Sequence, residues 1–142
     1  MSSISLLLVP LPSSFASPQN DRSLAALFQG QGAEQLQLSA ATKNPQLADE
    51  DTFYKYLVVL KALGNAQLNT EWSNPFKSNE PIRSQNVLAE TANTLWNFIV
   101  FLQKRILSYD AASNEDGKKI KCCISDIHAL VQNLQFISQN YQ

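Results

Sequence analysis

Between Ile120 and Tyr141, the apolar residues Ile120, Cys123, Ile127, Leu130, Leu134, Ile137 and Tyr141 recur at alternating intervals of three and four. That spacing keeps every member on one stripe of an α-helix and leaves the opposite surface polar. Such a stripe has to be buried against another element, so this end of the chain is committed to helix-on-helix packing. The segment upstream supplies a partner. From Pro81 to Tyr109 the positions Leu88, Thr91, Leu95, Phe98, Leu102 and Ile106 mark a second long stripe, predicting a helix of about 40 Å at 1.5 Å per residue. The polar stretch 110–117 between them is short, so the two helices are predicted to fold back antiparallel.

Two further helical regions precede this pair. Asp49, Glu50 and Asp51 place negative charge where a helix N-terminus favours it, ahead of a predicted helix from Thr52 to about Asn69. Its stripe reads Phe53, Tyr56, Leu57, Leu60, Leu63 and Gly64. Nearer the N-terminus, Asp21 is placed to cap a helix carrying Leu24, Ala25, Leu27 and Phe28. Gly30 and Gly32 either end that helix or loosen its middle, and Leu36, Leu38 and Ala40 continue helical structure as far as Asn44-Pro45. Between Trp72 and Pro81, the pairs Asn74-Pro75 and Glu80-Pro81 predict a loop of about ten residues.

With no run of strands read after residue 16, the expected fold is all-α: an up-down bundle of about four helices with a short extended N-terminal arm. The arm is assigned to residues 1–20 and the helical bundle domain to residues 21–142. In the arm, Ile4-Ser5-Leu6-Leu7-Leu8-Val9 is followed by Ser13-Ser14-Phe15-Ala16, which resembles a signal-peptidase site. No Lys or Arg precedes the apolar run, and Pro10 and Pro12 follow it, which favours an arm lying on the domain. Cleavage near Ala16 would instead make the chain a secreted helical protein. No segment has the roughly 20 uninterrupted apolar residues of a membrane span, and the expected location is intracellular, cytoplasmic or nuclear.

Composition narrows function chiefly by exclusion. A length of 142 residues suits one domain, and 44% hydrophobic against 16% charged residues is the balance of a chain that folds. A formal net charge of −1 offers no basic field to a phosphate backbone, so no nucleic-acid partner is expected. Cys122 and Cys123 are adjacent and form no disulfide scaffold. With His128 as the single histidine, the usual four-ligand zinc site cannot be assembled. No G-x-G-x-x-G or G-x-x-x-x-G-K-[ST] string occurs, and no cofactor is expected. Cys123 lies on the apolar seam and His128 is rotated about 140° from it, so the two do not form a nucleophile and base. The expected protein is not an enzyme.

His128-Ala129-Leu130 carries an H-x-L string and in this resembles the phosphoacceptor motif of histidine phosphotransfer domains, which are four-helix bundles. The resemblance implies an exposed His128 as phosphoacceptor. It spans three residues: the family's Lys after the Leu is Val131 here, and its small Gly is Gln132. Those departures remove charge that would help a phosphoryl group and add bulk where a partner approaches.

The remaining signal is surplus apolar surface. From Leu95 to Leu102 only Asn97 is polar, which puts Trp96, Val100 and Phe101 outside the seam of Leu95, Phe98 and Leu102. Tyr54, Val58 and Val59 likewise lie off the stripe through Phe53, Leu57 and Leu60. Either Leu6 to Val9 and Leu24 to Phe28 cover these second faces, or they form an interface. The expected function is a non-enzymatic protein–protein interaction module, a helical subunit or adaptor of a larger complex. Its candidate interface is Tyr54, Val58, Trp72, Trp96, Val100 and Phe101, and its partner is another protein or a second copy.

Overall fold

The C-terminal stripe is buried as its spacing requires. A computed structural model describes residues 19–29, 32–44, 46–64, 66–73 and 80–140. Among these, the elements run α1 (Gln19–Leu27), α2 (Ala33–Thr42), α3 (Glu50–Leu63), β1 (Gln67–Trp72), β2 (Ile82–Asn86), α4 (Val87–Ser108) and α5 (Asn114–Asn140). Residues 1–18 of the expected arm, and Tyr141 at the end of the stripe, lie outside the described residues. Along α5, Ile120, Cys123 and Leu130 are buried against Leu95, Phe98, Ile99, Leu102 and Ile106 of α4, with Ile127, Leu134 and Ile137 half-buried beside them.

The turn between α4 and α5 is shorter than the polar stretch suggested. Ser113 Oγ accepts the Asp116 N–H at 3.3 Å, while Asp116 Oδ2 accepts the Asp110 N–H at 2.8 Å. The first bond satisfies an early amide of α5 and the second ties the turn to the helix, which takes in Gly117. The α3 N-terminus follows its acidic signature: Asp49 Oδ1 accepts the Thr52 N–H at 2.7 Å. That bond, with the Thr52 hydroxyl, holds the Asp49 carboxyl below its usual range.

The expectation of an all-α chain is corrected by a β-hairpin. α3 stops at Leu63, where Gly64 takes φ 60 and closes the helix, not at Asn69. Past it, Leu68, Thr70 and Trp72 point inward while Gln67 and Asn69 stay exposed, a period of two. β1 pairs antiparallel with β2, matching Thr70 to Ser84, Glu71 to Arg83 and Trp72 to Ile82. A register shift between Gln67 and Thr70 marks a bulge. The predicted third helix loses its first turn to β2 and begins at Val87, where Asn86 Oδ1 caps the Leu88 N–H at 2.8 Å.

Among the described residues the molecule is mostly helical, and its long helices alternate in direction but number three where about four were expected. Glu50 pairs with Arg105, Phe53 stacks on Phe98, and Tyr56 bonds Glu90, so α3 runs antiparallel to α4. α3 and α5 therefore flank α4 in parallel. The first predicted helical region divides into α1 and α2, with Gly32 at φ 103 before α2. A side chain at Gly32 would place its Cβ 2.7 Å from Phe28 Cγ. These short helices, with α3 and the hairpin, enclose a second core of Leu24, Tyr56, Leu60, Leu68 and Val87.

Asn20 joins α1 to the hairpin. Its Nδ2 donates to the Glu71 carbonyl at 3.1 Å, and its Oδ1 accepts the Glu71 N–H at 2.7 Å, at only 2% exposure. Asn20 thus serves the outer edge of β1 as a further strand would. Asn20→Ala strands both backbone groups and is expected to cost about 2 kcal/mol in urea denaturation. It should also make α1 more sensitive to limited proteolysis, whereas unchanged stability would show that water serves the edge equally well.

Candidate functional site

On α3, residues Phe53, Tyr56 and Leu60 are buried, which turns the helix so that Tyr54 and Val58 face outward. At 100° per residue, Asp51, Tyr54, Val58, Lys61 and Ala62 fall within about 100° of arc, and every one is exposed. Val58 is 68% exposed, Tyr54 44%, and Leu47, in the turn ahead of the helix, 60%. A β-branched apolar residue at the centre of a helix face gains nothing there from burial or from helix propensity.

The edge of the Tyr54 ring lies against Phe98, with centroids 5.0 Å apart and planes at 83°. Phe98 in turn stacks on Phe53 at 4.6 Å and 4°. The exposed face is therefore built directly on the aromatic core, which fixes the orientation of Tyr54. Beside it, Glu50 of α3 accepts from Arg105 Nη1 of α4 at 2.9 Å, and the Arg105 guanidinium lies 4.8 Å over the Phe101 ring. Burial pushes the Asp126 carboxyl of α5 up, aided by the Glu50 carboxylate and opposed by Arg105. Burial likewise raises the Tyr54 hydroxyl, with Asp126 and Glu50 contributing. The three long helices thus meet at one charged node next to Tyr54.

Of the residues singled out in the sequence, Tyr54 and Val58 come together on this face. Trp72 and Val100 are 1% and 2% exposed and belong to the interior, so neither is available as an anchor. Trp96 and Phe101 are half-buried; Phe101 packs against Phe53 at 5.5 Å, inside the α3–α4 contact. His128 is exposed on α5, with Nε2 3.2 Å from the Gln132 amide nitrogen. Cys122 is exposed and Cys123 buried, both as free thiols, and burial raises the Cys123 thiol. Among the described residues no group of His, Cys, Asp and Glu could hold a metal ion. No described helix is long and apolar enough to cross a membrane.

Sequence reasoning missed the most polar part of the interior. Glu90, 1% exposed, accepts from Tyr56 Oη at 2.5 Å and Lys43 Nζ at 2.9 Å on one oxygen, and from Trp72 Nε1 at 2.8 Å on the other. Lys43 also donates to Ser39 Oγ at 2.6 Å and lies 5.4 Å from the Tyr56 ring centroid and 5.6 Å from that of Trp72. This set joins α2, α3, β1 and α4 through one carboxylate. Its chemistry is that of a clamp. Thr70 Oγ1, also on the inward face of β1, is buried without a hydrogen-bond partner among the described residues.

No protein family, curated protein sequence or solved structure matches this chain. The functional reading therefore rests on the geometry above.

Proposed function

We propose that this protein is a non-enzymatic interaction module, a helical subunit or adaptor of a larger intracellular complex, and that the outer face of α3 is its docking surface. The observation that carries this reading is Val58, 68% exposed between Tyr54 and Lys61 on a face rooted in the core. Burying Val58 and the Tyr54 ring against a partner recovers apolar area that the isolated chain leaves in water. The Glu90 clamp serves to hold α2 and the hairpin against the two helices behind that face.

A photo-crosslinking amino acid in place of Val58 tests this in cells that naturally make the protein. The expected result is one discrete covalent adduct from position 58 and none from the same probe at exposed Gln135 of α5. Absence of an adduct at position 58 overturns the reading.

A further inference from the structure

The exposed stripe of α3 has an internal symmetry. Asp51, Tyr54, Val58 and Lys61 occur at intervals of three, four and three, and both outer and inner pairs centre on residue 56. Two copies of α3 laid antiparallel, with a twofold axis near residue 56, therefore set Asp51 of each against Lys61 of the other. The same register sets each Tyr54 against the partner copy's Val58. Acid meets base at both ends and aromatic meets β-branched at the centre, while exposed Lys55 of each copy comes beside the other near the axis, each paired with its own Asp51.

Partners already present do not block this register. Asp51 Oδ2 pairs with Lys55 at 2.8 Å within the helix, which leaves Oδ1 for a second donor. Among the described residues Lys61 enters no ion pair. Among the described residues the neighbours of α3 leave Asp51, Val58 and Lys61 exposed and Tyr54 exposed on the side away from Phe98, because α4 takes the side bearing Phe53 and Tyr56, and Val59 and Leu63 pack into the core shared with α1 and α2.

We infer that a second copy of this chain docks on the α3 face, forming a twofold dimer through antiparallel pairing of Asp51, Tyr54, Val58 and Lys61. The inference rests on the interaction-module reading and names its occupant. A closed two-copy arrangement follows because one self-complementary patch is used by both chains. About three helical turns make a small interface, so the dissociation constant is expected on the order of 10 μM.

Sedimentation velocity of the purified full chain across a wide concentration range tests this. Wild type is expected to pass from monomer to dimer. Asp51→Lys sets Lys against Lys at both ends, and Lys61→Glu sets acid against acid, each weakening the dimer about tenfold. Mixed together, these two variants are expected to form a heterodimer tighter than either homodimer, and the chain carrying both changes should recover self-association. Val58→Asp, on the solvent face, should weaken the dimer at least about a hundredfold, with an unchanged circular dichroism spectrum showing that it folds. A wild type that stays monomeric, or a dimer indifferent to these charge changes, overturns the second-copy inference. If the position 58 crosslink is then found on a different polypeptide, the interaction-module reading stands and only the identity of the occupant falls.

Discussion

Glu90→Leu is expected to lower the free energy of unfolding by about 3 to 5 kcal/mol in urea denaturation, the range for breaking a buried ion pair from one side. The loss has three identifiable parts. Lys43 Nζ loses its carboxylate partner, and Tyr56 Oη and Trp72 Nε1 lose the acceptor of their hydrogen bonds. Tyr56 and Trp72 are 0% and 1% exposed, so water cannot replace that acceptor without opening the core. Against a domain stability of roughly 5 to 15 kcal/mol, the change threatens the fold itself. Combining Glu90→Leu with Lys43→Met should cost less than the sum of the two single changes, because it removes the stranded cation. A Glu90→Leu protein within about 1 kcal/mol of wild type would show that the contacts around Glu90 are not what holds α2 and the hairpin to α4.

That network also shows what a linear reading of the chain can and cannot find. The α5 stripe was legible because its members are successive turns of one element and need no knowledge of the partner. Glu90 was not, since an acid within a predicted helix reads as solvated. Its partners stand 47, 34 and 18 residues away and were scattered among a predicted helix end, a core stripe and a loop. The hairpin was missed for a related reason. Leu60, Gly64 and Leu68 continue a four-residue spacing, so the helical pattern ran on across the glycine that ends α3. The alternation of Leu68, Thr70 and Trp72 was the available signal, and Thr70 weakened it by placing a hydroxyl at an inward position.

The candidate site divides along the same physical line. Tyr54 and Val58 were found because α3 has its main neighbours on the other sides, so these positions off its stripe face water, although Val59, equally off the stripe, packs into the second core. Applied to α4, that rule failed. α4 packs against α3, α5 and the hairpin, and a helix with several neighbours is buried over most of its circumference. Val100 lies off the seam and is still 2% exposed. An off-seam apolar residue marks a surface only on a helix at the edge of the fold.

Phe98→Ala is expected to cost about 3 to 5 kcal/mol, the range for emptying a well-packed aromatic site. Phe98 is 0% exposed and lies between the stacked Phe53 ring, the edge of Tyr54 and the tilted ring of Phe101 at 6.5 Å. No single neighbour can fill the void without abandoning another of these contacts. Its removal also frees Tyr54 from the contact that orients it, so the α3 face should lose order together with stability. Val58→Ala, at 68% exposure, separates the two effects. Measured at a concentration low enough to keep the chain monomeric, it should change unfolding by no more than about 0.5 kcal/mol. It should nevertheless weaken association. If Val58→Ala destabilised the monomer as Phe98→Ala does, Val58 would be an internal packing residue of the isolated chain, and the surface reading of α3 would have to be abandoned.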